Sequence, residues 1–190
     1  MSATTITLRL RRFAKDIRAA AAVEFALIVP LLLLLFLGTI EASSLITVDR
    51  RVNIISGTVG DLVSRWDPDA GAISSSELTD YFRASEGIIY PYSTTGLKQV
   101  ISVVQVAANG TTSVMWSCGY NGGTKRATSS AYTSLPPHMN ELARGGYIIA
   151  SETAYSYLPV LGMVYTEALD LYQESFYLPR YDAYIAGPTC

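Results

Sequence analysis

Residues 19–40 read AAAAVEFALIVPLLLLLFLGTI, a run of 22 residues in which Glu24 is the only ionisable side chain. As an α-helix rising about 1.5 Å per residue, this run is roughly 33 Å long, close to the ~30 Å hydrocarbon thickness of a bilayer. A secretory signal peptide has an apolar region of only about 7–15 residues, so the run is too long to be typical of one. The sequence therefore predicts a single membrane-spanning helix, with Pro30 introducing a kink inside it.

The charges on either side of this run predict its orientation. Before residue 20 the basic residues outnumber the single acid Asp16, and they are Arg9, Arg11, Arg12, Lys15 and Arg18. Acidic residues follow the run at Glu41 and Asp49. The positive-inside rule then places the N-terminus in the cytoplasm and everything after Ile40 outside. We expect a basic tail at 1–18, a transmembrane helix at 19–42, a helical extension at 43–66 and a globular domain at 67–190.

An apolar stripe continues beyond the membrane run. Its members are spaced alternately by three and four residues, and they are Leu45, Val48, Val52, Ile55, Val59, Leu62 and Trp66. This spacing predicts an amphipathic helix as far as about residue 65, which Asp67-Pro68 ends because the residue before a proline disfavours helix. Two roles are open for the stripe: packing on the core of the domain, or packing against other subunits.

The remaining sequence predicts an α+β domain. Asn109-Gly110 is a strong hairpin signal between two β-rich segments. The predicted elements are a short helix at 76–83 ended by Gly87, strands at 97–107 and 111–118, a helix at 139–143, and strands at 147–157 and 169–178. We expect about four strands in one antiparallel sheet, packed against the long N-terminal helix.

Composition and motif content exclude several classes of function. The net charge of −2 gives no sign of nucleic-acid binding. With His138 as the only histidine and no CxxC pair, the chain has too few ligands for a Cys/His zinc site. The acidic residues from Asp67 to Glu77 lack one ligand of a calcium loop, and capping of loops and helices explains them equally well. No GxSxG motif or triad accompanies His138, so we predict no enzyme, no metal site and no cofactor.

The two cysteines, Cys118 and Cys190, are separated widely in the sequence. In an exported domain an even number of cysteines favours a disulfide, which here would tie down the last residue of the chain. The alternatives are that one or both remain free, or that Cys190 links to a partner.

Residues 18–27, RAAAAVEFAL, resemble the processing site of Tad-type pilins and pseudopilins, the TadE/TadG-like families. The resemblance implies that a prepilin peptidase cuts after Ala19 and that Ala20 becomes the first mature residue. Glu24 then stands at the fifth mature position, and Phe25 takes the aromatic place that follows it. The chain departs from the pattern at Ala19, where glycine is usual. On position alone, Glu24 would simply favour the helix N-terminus at headgroup level.

The same resemblance implies a function. It is that of a minor pilin or pseudopilin in the assembly of a Tad (Flp) type IVb pilus for adherence, in the inner membrane of a bacterium, with a periplasmic domain and a possible place in the pilus. The implied partners are the major pilin, other minor pilins, the prepilin peptidase and the inner-membrane assembly platform. The alternative is an uncleaved, membrane-anchored periplasmic scaffold of the pilus or secretion machinery.

Overall fold

The computed structural model describes residues 17–159, 162–163 and 166–190, with side chains from residue 20 onward. The predicted basic tail therefore lies almost wholly outside the described residues. Three helices are present: α1 (Ile17–Ser64), α2 (Ser75–Ile89) and α3 (Pro137–Leu142). Four strands are present: β1 (Leu97–Val106), β2 (Thr112–Tyr120), β3 (Tyr147–Tyr157) and β4 (Leu169–Tyr177). The α+β prediction, a long helix packed on a four-stranded sheet, is confirmed.

The sheet has the strand order β2-β1-β3-β4, and every neighbouring pair is antiparallel. The predicted hairpin joins β1 to β2, with Gly110 at φ +86° in the turn. The amide of Ala107 donates to the carbonyl of Thr111 at 2.8 Å and so closes the hairpin. A left-handed φ is accessible to glycine without steric cost, so Asn109-Gly110 correctly predicted a hairpin turn at this position.

The second half of α1 packs its apolar stripe on the domain. Val48, Val52, Ile55, Val59 and Val63 are each no more than 1% exposed. The stripe was predicted to pass through Leu62, but Leu62 is only half-buried and Val63 replaces it. A helix has 3.6 residues per turn, so a strict seven-residue repeat drifts by about 20° per heptad and the buried position moves on by one. The stripe therefore packs on the core of its own domain.

Small residues on α1 bring this helix close to β3 and β4. Ser56 and Gly60 are not members of the predicted apolar stripe, yet both are buried. Ser56 Oγ donates to the carbonyl of Ser151 at 2.7 Å. A Cβ atom on Gly60 would lie 2.7 Å from the ring of Tyr177, so the ring occupies the space that a side chain would need.

This close approach predicts opposite effects for two Gly→Ala substitutions. Gly87→Ala, on α2 with nothing within 4 Å of the new Cβ, is expected to stabilise the protein by about 0.5–1 kcal/mol through helix propensity. Gly60→Ala gains the same propensity, but we expect a net loss of about 1 kcal/mol or more because of overpacking against Tyr177. Denaturant unfolding of the full chain in detergent checks both, and stabilisation by Gly60→Ala would contradict the packing described.

Helix α2 begins at a capping box and ends later than predicted. Ser74 Oγ accepts from the amide of Glu77, and the Glu77 carboxylate accepts from the amide of Ser74 at 2.9 Å. The prediction that Gly87 ends this helix is wrong, because α2 continues through Gly87 to Ile89. Ile89 is fully buried with residues of α1. Burial of a side chain of this size is worth about 1.5–3 kcal/mol, more than the cost of about 1 kcal/mol for one helical glycine.

Both faces of the sheet are covered. On the inner face, α1, α2 and the C-terminal segment pack on the strands, and Trp116 Nε1 donates to the carbonyl of Ile185 at 2.8 Å. On the outer face, the chain between β2 and β3 places Tyr132 and Ala143 against the strands. The end of the core nearest the apolar half of α1 contains Leu97, Tyr157 and Val48. Strands β1 and β3 therefore extend along the second half of α1.

Candidate membrane-anchoring segment

The first half of α1 is an apolar helix that the rest of the described chain does not cover. Among residues 20–36 every side chain is exposed except Val29, which is half-buried. Phe25 is 68% exposed and Leu27 74%. Within the described residues, α1 is the one helix long and apolar enough to cross a membrane. A stretch of about 20 such residues matches the thickness of the bilayer core, so this segment is long and apolar enough to serve as a membrane anchor.

The predicted processing residues lie at the start of this exposed helix. Ala19 is within α1, and Ala20 and Glu24 are both exposed. Residues four apart are neighbours on one helix face, so the Glu24 carboxylate lies one turn from the backbone nitrogen of Ala20. The structure therefore shows Ala20 and Glu24 as exposed and helical. Cleavage itself stays a prediction.

Pro30 lies within α1, which is helical on both sides of it. Proline cannot donate to the carbonyl four residues before it, here that of Ala26. The kink predicted at this position remains a prediction.

The boundary between the exposed and packed halves of α1 is at Glu41. This side chain is 3% exposed, although it directly follows the apolar run. Glu41 Oε1 accepts from the backbone amide of Met163, in the connection between β3 and β4, at 2.7 Å. The domain is therefore tied to α1 from the first residue after the apolar run 19–40, within the last two residues of the predicted transmembrane helix.

At the other end of the domain, a disulfide joins Cys118 to Cys190, with a Cα–Cα distance of 5.4 Å. Cys118 is on β2 in the main core and is 1% exposed. The bond encloses the chain from β2 to the C-terminus, which includes α3, β3 and β4. It fixes the last residue of the protein against the inner face of the sheet.

A polar cluster on the outer face of the sheet was not predicted from sequence. Glu152, 8% exposed on β3, receives two hydrogen bonds from Arg126, from Nε at 2.8 Å and from Nη2 at 2.7 Å. Tyr172 Oη also donates to Glu152 at 2.8 Å, and Tyr132 Oη donates to Glu174. The guanidinium of Arg126 lies 4.7 Å from the ring centre of Tyr132. These contacts satisfy the buried carboxylate, which is the condition for burying a charge.

Burial raises the pKa of Glu174 above its usual value, although the hydrogen bond from Tyr132 opposes that shift. A folded-state pKa above the unfolded one contributes stability that is present below the unfolded pKa and is lost as pH rises through the folded pKa. Ionised Glu174 therefore lowers the free energy of unfolding at neutral pH.

Glu174→Gln is expected to raise the thermal unfolding midpoint by a few degrees near neutral pH and to give little change at about pH 4. The amide oxygen can still accept from Tyr132, so the hydrogen bond is retained. Thermal melts over this pH range, with the exposed Glu141→Gln as control, check the sign. An equal effect at both pH values would show that the titration of Glu174 is not its cause.

The remaining candidate residues are not brought together. His138 is exposed at the start of α3. Asp67 caps the short 3₁₀ turn Pro68–Ala70 by accepting from the amide of Asp69, which is a structural role. In the described part of the chain, no group of three His, Cys, Asp or Glu side chains could hold a metal ion.

The sequence of the exposed part of α1 and of its junction with the domain matches a known family model. Residues 19–54 match the family model described as TadE-like protein. The match covers 36 of the 190 residues, all of them within α1. No curated protein matches the chain, and no solved structure does. The matched segment contains the exposed part of α1, Glu41 and the first buried turns of the stripe.

TadE-like proteins are associated with Tad pili, and this chain is similar to them over residues 19–54. The matched residues end within α1, before the sheet begins. The similarity to the family is therefore confined to the helix. The α+β domain that follows lies outside the matched residues.

Proposed function

We propose that the protein is a minor pilin or pseudopilin that takes part in the assembly of a Tad (Flp) pilus for adherence. The observation that carries the proposal is the coincidence of an uncovered apolar helix at 20–36 with the TadE-like domain at 19–54. The helix crosses the inner membrane once, with the N-terminus in the cytoplasm and the domain in the periplasm. The basic residues before residue 20 support this orientation.

The exposed helix explains how such a protein serves both as a membrane protein and as a filament subunit. In the bilayer, lipid chains surround residues 20–36. On extraction into a filament the same side chains must be covered by the helices of neighbouring subunits, because exposing them to water costs about 25 cal/mol per Å². The folded domain is tied to α1 from Glu41 onward, so it leaves the first half of the helix free for these contacts.

Glu24 acts at the assembly step. Cleavage after Ala19 by a prepilin peptidase creates a new amine on Ala20 at the membrane face. The Glu24 carboxylate, one helical turn away, pairs with this amine or with that of a neighbouring subunit. In low dielectric the pairing offsets part of the cost of burying both charges, and an incoming subunit without a matching charge is disfavoured.

The partners follow from this role. They are the prepilin peptidase, the major pilin, other minor pilins and the inner-membrane assembly platform. The domain packs on one side of α1 and is large beside the helix that carries it. This arrangement favours a position at which one copy starts, caps or primes the filament, where the domain is not stacked on identical domains.

An uncleaved periplasmic scaffold of the pilus or secretion machinery is the second candidate. The specific observation that favours it is Ala19, which stands where the resembling families usually have glycine. In that case Glu24 has no new amine to pair with, and the exposed helix serves only as an anchor. The two candidates differ in whether the mature chain begins at Met1 or at Ala20.

A charge-neutralising substitution tests the proposed role of Glu24 in cells. Glu24→Gln keeps the size and removes the charge, so we expect the protein to accumulate in the membrane while surface pili and adherence fall to the level of a deletion strain. The matched control is Glu141→Gln, an exposed acid on α3, which should support normal piliation. Normal piliation with Glu24→Gln would contradict the proposed pairing.

A further inference from the structure

The connection between β3 and β4 presents apolar side chains beside the membrane-spanning helix. Leu158 is 65% exposed and Met163 64%. In the sequence, residues 158–166 contain no charged side chain. Single exposed apolar residues are common on protein surfaces, so it is the position of these two beside α1, rather than their exposure, that points to a covering surface.

The height of this connection above the membrane follows from its contact with α1. If Ala20 to Thr39 fill the hydrocarbon core, Glu41 lies about 3 Å beyond it. The backbone amide of Met163 bonds to Glu41 at 2.7 Å, which places Met163 at the same level. A headgroup layer is roughly 5–7 Å thick on each side of the core, so Met163 lies within it.

Leu158 belongs to the same end of the domain. It directly follows Tyr157, which is 2% exposed and packs with Val48 and Val52 on the first buried turns of α1. Because Tyr157 is buried against α1, it fixes the position of the adjacent, exposed Leu158. Leu158 and Met163 are thus two exposed apolar residues at the same end of the domain, the end that Glu41 joins to α1.

We infer that Leu158 and Met163 form a second membrane contact, in which these two side chains rest on the lipid of the outer leaflet of the inner membrane. The occupant is a lipid surface because the patch is continuous with the lipid-covered part of α1. The contact holds the domain down on the bilayer and fixes its tilt. In the proposed pilus function, extraction of the subunit then has to break this contact as well as remove the helix. The inference rests on the proposed membrane anchoring, but not on cleavage or on any pilus partner.

Spin labels at single added cysteines test the contact in the full chain reconstituted in phosphatidylethanolamine–phosphatidylglycerol vesicles. Met163→Cys and Leu158→Cys report on the patch, while the native cysteines remain paired in their disulfide. The hydrogen bond to Glu41 uses the backbone of Met163, so the side-chain change leaves it in place. Leu142→Cys is the matched control, since Leu142 is 70% exposed on α3 at the far end of the domain. Leu33→Cys reports on the span itself.

We expect the ratio of oxygen accessibility to water-soluble nickel-chelate accessibility to be several-fold higher at 158 and 163 than at 142. A side chain anchored in the headgroup layer reaches towards the hydrocarbon, in which oxygen concentrates and from which the chelate is excluded, whereas a label at 142 meets water. Equal ratios at 163 and 142 would overturn the contact. Low accessibility to both reagents at 163 would also overturn it, in favour of coverage by protein. A lipid-accessible label at 33 with an aqueous label at 163 rejects the second contact while leaving the anchor intact. An aqueous label at 33 rejects the anchor itself.

Discussion

Replacement of both cysteines, as Cys118→Ala with Cys190→Ser, is expected to lower the free energy of unfolding by about 4 kcal/mol. The bond closes a loop with a sequence separation of 72 residues. In the chain-entropy model, removing a cross-link over a loop of that length releases about this much denatured-state entropy. The loop contains α3, β3 and β4, so half of the sheet lies within the segment that the bond constrains in the unfolded chain. Denaturant unfolding of the full chain in detergent measures the loss.

Reduction of the wild-type protein provides the control for this prediction. Dithiothreitol is expected to move the wild-type midpoint to that of the double variant and to leave the variant unchanged. The C-terminal segment keeps other contacts, because Ile185 is fully buried and the amide of Ile73 bonds to the carbonyl of Ala186 at 2.9 Å. We therefore expect the fold to persist without the bond. A double variant with wild-type stability would show that those contacts hold the C-terminus unaided.

Arg126→Met is the second large effect that we expect, a loss of about 2–3 kcal/mol. Methionine preserves much of the apolar stem but leaves Glu152, which is 8% exposed, without its cation. Breaking a fully buried ion pair costs about 3–5 kcal/mol, and the loss here is smaller because the Arg126 side chain is 30% exposed. The bond from Tyr172 remains and solvates part of the charge. Denaturant unfolding at neutral pH measures the effect.

Two further variants separate this interpretation from a simple loss of packing. Adding Glu152→Gln to Arg126→Met removes the stranded charge, so the double variant should be more stable than Arg126→Met alone. Arg65→Met breaks an ion pair with Asp61 in which the arginine side chain is 55% exposed. We expect that control to change stability by less than about 1 kcal/mol. A double variant no more stable than the single one would show that the charge of Glu152 is not what destabilises it.

The features predicted correctly from sequence depend on local signals. The apolar run, the 3-4 spacing and Asn109-Gly110 each lie within a few turns or one hairpin, where residue type and spacing decide the structure. The errors arose where tertiary packing outweighed local preference. Gly87 would end an isolated helix, but the buried Ile89 extends α2 beyond it. Val63 replaces Leu62 because the helix keeps its own period rather than that of an ideal heptad.

The contacts that position the domain were not predictable from local patterns. Glu41 and Met163 are separated by 122 residues, and Arg126 and Glu152 by 26. Polar pairs at such distances leave no periodic trace in one sequence, because each partner looks like an ordinary surface residue. The processing site at Ala19 and Ala20 was predicted from the resemblance of residues 18–27 to Tad-type pilins, and cleavage there stays a prediction. Composition alone placed Cys118 and Cys190 as a possible pair, and their position in the fold came from the structure.

The central claim is that the protein is a processed pilin-like subunit anchored by α1, and intact mass tests it most directly. The protein is purified from its native membrane, and its mass is measured without reduction and after reduction. The account predicts a chain that lacks residues 1–19 and begins at Ala20, and that gains two hydrogens on reduction. A full-length mass beginning at Met1 would contradict processing and leave the uncleaved scaffold as the function of this protein.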